Sequence, residues 1–114
     1  MSLPVEGTDA LARVLGARNV LFVGAHPDDP DAAAGGTVAR LVSTGARVRY
    51  LIVTSGDKGV PNEEIADPSA FIERRETEQR ASAAWLGVDE VIFLRQRDGE
   101  VFDTIELRGR IVRE

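Results

Sequence analysis

An apolar run, Val20-Leu21-Phe22-Val23, stops abruptly at Gly24-Ala25-His26-Pro27-Asp28-Asp29, and few folds accommodate that junction. A short continuous apolar run bounded by turn residues reads as a strand buried on both faces, as in parallel sheets covered by helices. Pro27 has no N–H to give to a ladder and biases His26 away from helical geometry, so the strand must break into a loop there. In an open α/β sheet, ligands gather outside the carboxyl ends of strands. The junction therefore puts the only histidine of the sequence, with two adjacent carboxylates, at a ligand-binding rim.

The rest of the chain alternates around this strand, which spans Asn19–Ala25. An amphipathic helix over Thr8–Leu15, with Thr8 or Asp9 as cap and Gly16 as stop, precedes it. A helix over Ala32–Thr44 follows, with Val38, Leu41 and Val42 on its apolar side and Gly45 at its end. Gly35 and Gly36 inside it cost about 1 kcal/mol each relative to alanine, which predicts a close approach by a strand or a ligand. A second strand spans Arg47–Thr54, and a polar loop rich in Gly, Pro, Asn and Asp runs from Ser55 to about Pro68. A loop of that length is uncommon in a compact domain and is usually functional. A third helix, Ser69–Leu86, has Ser69 as its cap and Gly87 as its stop, with Phe71, Ala81, Ala84 and Trp85 as its apolar positions. A third strand, Glu90–Leu94, leads into Arg95–Glu100, and a last helix starts at a threonine cap over Thr104–Glu114.

The order predicts an α/β fold: a three-layer, Rossmann-like parallel sheet with right-handed crossovers, strand order 3-2-1, and only half of a doubly wound βαβαβα arrangement. In such a half the most apolar strand is an exposed edge. The chain, 1–114, is therefore expected to be part of a larger domain or to pair with another chain along that strand.

His26 and one of the following carboxylates are ordinary ligands for a catalytic zinc, and the other carboxylate is placed to act as a base. The alternative is that the aspartates cap the next helix and satisfy its N–H groups. A dinucleotide site is disfavoured, since no G-x-G-x-x-G follows the first strand and a carboxylate pair repels a pyrophosphate. Asp57 between glycines and Asp98-Gly99 add polar groups at the next two strand ends, and both also read as ordinary turns. Arg75 and Glu78, three apart on one helical face, form at minimum an exposed ion pair.

Composition narrows the partners. A net charge of −5, with thirteen of the fourteen basic residues being arginine and scattered, argues against nucleic acid or an anionic membrane. No cysteine is present, which excludes disulfides and thiolate metal sites. No apolar stretch approaches the ~18 residues of a membrane span, and the first residues lack the pattern of a leader, so a cytoplasmic protein is expected.

Ala25-His26-Pro27-Asp28-Asp29 with Gly35-Gly36 resembles the hallmark of the LmbE-like, or PIG-L, family of zinc-dependent N-deacetylases. Thr54-Ser55-Gly56-Asp57-Lys58-Gly59, Arg75-x-x-Glu78 followed by Leu86-Gly87-Val88, and Asp98-Gly99 are similar to the segments that follow in that family. The resemblance covers nearly everything from Asn19 onward. It implies that His26 and Asp29 bind zinc, that Asp28 is the general base, and that Arg75 and Asp98 contact substrate. It also implies a third ligand and an oxyanion-stabilising histidine from a further motif, which this sequence does not contain. The expected function is removal of an N-acetyl group from an N-acetylglucosamine-type sugar conjugate or similar small acetamide. The alternative is a non-catalytic α/β module that self-associates or binds a partner through its first strand.

Overall fold

The computed structural model describes residues 7–61 and 67–114. The amino-terminal residues read above for a leader, and residues 62–66 of the long loop, lie outside the described residues. The elements are α1 (Gly7–Leu15), β1 (Asn19–Gly24), α2 (Asp29–Ser43), β2 (Arg47–Thr54), α3 (Pro68–Leu86), β3 (Glu90–Gln96) and α4 (Ile105–Val112), with a 3-10 turn at Asp57–Gly59. The three strands form one parallel sheet in the order β1-β2-β3, the predicted adjacency written from its other end.

β2 is the centre of the sheet. Its residues Val48, Tyr50, Leu51 and Ile52 are sealed from solvent, because a strand with neighbours on both sides and layers on both faces has no wet edge. Val48, Tyr50 and Ile52 alternate onto one face, where they pack with Val38 and Leu41 of α2 and Ala83 of α3. Burial pushes the Tyr50 hydroxyl up to about 12, with the Asp31 charge adding to the effect. On the other face, Arg49 reaches from β2 to the backbone carbonyl of Glu114 beyond α4, and Arg110 of α4 reaches the carbonyl of Leu94 at 3.5 Å.

That second face is covered only in part, and the outer edge is open. Among the described residues β1 pairs only with β2, and Val23 of β1 is 46% exposed. Ile105 and Val112 of α4 are also exposed. The radius of gyration is 16.1 Å, against about 13 Å for a compact domain of this length. The predicted apolar edge is therefore present.

Several boundaries differ from the sequence reading, for local reasons. α1 starts at Gly7, which puts the expected caps Thr8 and Asp9 in its first turn. α2 starts at Asp29, three residues before Ala32, because Pro30 falls in the first turn, where a missing N–H costs nothing. α3 is capped by Asp67, whose side chain accepts from the Ala70 N–H, and not by Ser69; Pro68 is its first residue. β3 runs on to Gln96 because its ladder with β2 resumes at Thr54↔Gln96 past an irregularity. Trp85 of α3 is 91% exposed, and the buried stripe of that helix is Phe71, Glu76, Gln79 and Ala83. Gly35 and Gly36 face open space: a Cβ at either would meet nothing described within 4 Å, so no strand makes the expected close approach.

Candidate metal and catalytic site

The site is built where β1 ends. Ala25 is still tied to β2, its carbonyl accepting from the Thr54 N–H at 2.9 Å and the Thr54 hydroxyl at 2.8 Å. The chain then turns within four residues into α2. The His26 N–H donates to Asp29 Oδ2 at 2.8 Å, and the Asp29 N–H donates back to the His26 carbonyl at 3.2 Å. The turn needs Asp28 at φ 75°, a left-handed backbone that aspartate tolerates better than most residues. A side chain at Gly24 would come within 3.2 Å of Asp29 Cβ, so glycine there lets α2 begin directly against the strand end.

Asp28 holds the N-cap position of α2, yet its side chain makes no capping hydrogen bond. Its carboxylate turns outward to the Arg75 guanidinium, which donates to Asp28 Oδ2 at 3.1 Å and to the Pro27 carbonyl at 2.9 Å. The capping role considered from sequence is thus not the one Asp28 performs. Arg75, from α3, pairs with this turn and not with Glu78; the latter lies 4.0 Å from Arg74.

Asp98, on the loop after β3, comes to the same place. Its Oδ1 lies 2.9 Å from His26 Nε2, and its backbone N–H donates to Asp57 Oδ1 at 2.8 Å, joining the loops after β2 and β3. With the Asp98 carboxylate as acceptor, the hydrogen on Nε2 belongs to His26, and in the neutral ring the lone pair then falls on Nδ1. Nδ1 lies 3.5 Å from Asp29 Oδ2. Two donors at 2.0–2.1 Å from a tetrahedral ion stand about 3.3 Å apart, so this nitrogen–oxygen pair suits a zinc-type ion. The His–carboxylate pairing behind it is the arrangement that usually orients a metal-bound imidazole. No group of three His, Cys, Asp or Glu able to hold a metal occurs among the described residues, whereas a catalytic zinc usually has three protein ligands.

All five residues singled out from sequence (His26, Asp28, Asp29, Arg75, Asp98) therefore converge. Behind them lies a layer that the sequence did not single out. Gln79 accepts from the Asp28 N–H at 2.7 Å and donates to Asp31 at 3.2 Å, while the Ser82 hydroxyl donates to Asp31 at 2.7 Å. Glu76, buried one turn away, accepts from Arg95 at 2.8 Å and 3.1 Å and from Arg80 at 3.5 Å. The Arg95 hydrogen bond holds the Glu76 carboxyl below the usual range, against the opposing effect of burial. Arg95 itself stands at φ 56°, so this bridge secures a left-handed residue three positions before Asp98.

Residues 21–113 match the family model of PIG-L, GlcNAc-PI de-N-acetylase. The chain belongs to the PIG-L family. It is 37% identical over 95 residues to the diacetylchitobiose deacetylase of Thermococcus kodakarensis, a match covering 83% of this chain and 35% of that protein. It is 41% identical over 93 residues to the 1D-myo-inositol 2-acetamido-2-deoxy-alpha-D-glucopyranoside deacetylase of Kineococcus radiotolerans, covering 79% and 26%. In structure it is similar to the N,N'-diacetylchitobiose deacetylase of Pyrococcus horikoshii, with a TM-score of 0.79 at 27% identity over 97% of this chain and 46% of that one. The chain thus spans about a third or less of these curated relatives, and under half of the structural one.

Proposed function

We propose that this PIG-L chain carries the metal-binding and general-base half of an N-deacetylase that hydrolyses the acetamide of an N-acetylglucosamine-type sugar, acting in the cytoplasm. The single observation that carries the reading is the His26–Asp29 pair, with Asp98 engaging Nε2 so that Nδ1 is the ring nitrogen beside the Asp29 carboxylate. The names of the relatives supply the substrate class: both curated relatives are deacetylases, of diacetylchitobiose and of an inositol-linked acetamido sugar.

His26 Nδ1 and Asp29 Oδ2 would hold the ion. A bound zinc supplies carbonyl polarisation and a water acidic enough to lose a proton near neutrality. Asp28 is the base: its side chain is 60% exposed at the mouth of the turn, and Arg75 engages Oδ2, leaving Oδ1 to take the proton of the attacking water. Returning that proton to the departing amine completes hydrolysis to amine and acetate. Arg75, fixed on two acceptors, and the free oxygen of Asp98 are the groups on this side for sugar hydroxyls.

The test is acetate release from diacetylchitobiose and from an inositol-linked N-acetylglucosaminide, with zinc and after chelation. Release that chelation abolishes and zinc restores is expected; release that persists after chelation would overturn the metal role. The open edge of β1 favours a second reading, a non-catalytic module that pairs through that strand. A metal-free, tightly dimeric chain in sedimentation, with no acetate released, would select it.

A further inference from the structure

Gln79 is a polar side chain with 0% exposure in the middle of α3, one turn beyond Arg75. Burying an amide is costly unless its hydrogen bonds are met, and an apolar residue on this helix face would have packed more cheaply. Its carbonyl takes the Asp28 N–H at 2.7 Å, and its amide N–H reaches Asp31 at 3.2 Å. The first bond falls on the one residue of the turn with a strained backbone, Asp28 at φ 75°. An unusual conformation persists only where its surroundings over-determine it.

We infer that Gln79 is a positioning residue for Asp28: its buried carbonyl clamps the Asp28 N–H and so fixes the direction in which the Asp28 carboxylate leaves the turn. Arg75 holds the same residue from outside, through the side chain, and Gln79 holds it from inside, through the backbone. Asp31, anchored by the Ser82 hydroxyl at 2.7 Å, holds the amide group of Gln79 so that the carbonyl points at Asp28. Charged groups facing this network are Asp28, Asp31 and Arg75, so an amide serves where a carboxylate would add a third negative charge. The inference rests on the reading of Asp28 as the base.

Two variants test it, Gln79→Met, which keeps the volume and loses both hydrogen bonds, and Gln79→Glu, which keeps the acceptor. Circular dichroism and urea unfolding establish that each is folded, and the Asp28 amide is followed by 15N–1H NMR and hydrogen exchange on the full chain. In Gln79→Met the Asp28 amide should exchange about tenfold faster or more, and kcat for acetate release should fall by about a hundredfold with KM little changed, the cost of misdirecting a reacting group. Gln79→Glu keeps the acceptor but adds a third negative charge, so the Asp28 amide should stay protected while stability falls, and kcat should stand well above that of Gln79→Met. An equal loss of kcat in both variants, tracking stability, would overturn the positioning role. So would an Asp28 amide that Gln79→Met leaves protected. Should the wild-type chain release no acetate, the deacetylase reading fails, and the amide measurement alone still decides whether Gln79 fixes the turn.

Discussion

Gly56 offers a worked test of how the site is clamped. It sits at φ 67° before the 3-10 turn, and a Cβ there would stand 2.8 Å from Arg75 Nη1 and 3.3 Å from Pro27 Cδ. Gly99 has nearly the same backbone, φ 75°, but its Cβ would meet only Lys58 at an ordinary 3.8 Å. Alanine in a left-handed conformation costs about 1–2 kcal/mol, partly offset by about 0.4–1 kcal/mol from the stiffer unfolded chain. Gly99→Ala should therefore cost about 1 kcal/mol. Gly56→Ala adds the displacement of the guanidinium, which moves easily but loses its bonds to the Pro27 carbonyl and to Asp28. The exposed ion pair counts for little, while the charged donor on a carbonyl contributes about 1.5–3 kcal/mol. The expected total is about 2–4 kcal/mol by urea unfolding. In an Arg75→Ala background most of the extra cost should vanish, leaving only the 3.3 Å approach to Pro27 Cδ, since the coupling to the guanidinium is then gone. Equal costs in the wild-type background, or an excess that Arg75→Ala leaves undiminished, would refute the clamp.

Two other perturbations separate the supporting interactions. Glu76→Gln should lower the urea midpoint near pH 7, because Arg95 and Arg80 lose a charged acceptor. The Glu76 carboxyl is held below its unfolded value of 4.5, so its contribution is complete above that value and is lost as pH falls through the lower folded one. Wild type and Glu76→Gln should therefore converge in stability toward pH 3, and a constant gap in urea midpoints from pH 7 to pH 3 would count against the bridge. Asp98→Ala should weaken zinc binding about 10–100-fold by releasing His26 Nε2, and 15N NMR should report a mixture of imidazole tautomers. A rise in KM with unchanged zinc affinity would make Asp98 a substrate contact only.

The three parallel strands were readable because continuous apolar runs at β1 and β2 leave no other fully buried solution, and the turn residues after them mark the rim. His26, Asp28, Asp29 and Asp98 were readable from their types and places at strand ends, whereas Arg75, inside α3, was singled out as a site residue only by the family resemblance. What escaped was pairing across elements. Arg75 and Glu78 share a helical face, but a nearer carbonyl and carboxylate on the β1–α2 turn claim the guanidinium. The buried face of α3 escaped for the same reason. Apolar spacing pointed to Ala81, Ala84 and Trp85, whereas Glu76 and Gln79 lie inward because Arg95, Asp28 and Asp31 satisfy them. Two polar residues spaced three apart, on the line that ends in Ala83, were the only available sign. At the glycine pair in α2 the expected approach by a strand is not met among the described residues, since a cost in helix propensity does not say what fills the space beside it.

The central claim is that Asp28 serves as base beside an ion held by His26 and Asp29, and Asp28→Asn tests it most directly. Acetate release from diacetylchitobiose and zinc affinity would be measured on the same preparation. The account predicts that zinc affinity stays within about threefold while turnover falls 10²–10⁴-fold, the usual worth of a positioned base. Unchanged turnover in Asp28→Asn would contradict it.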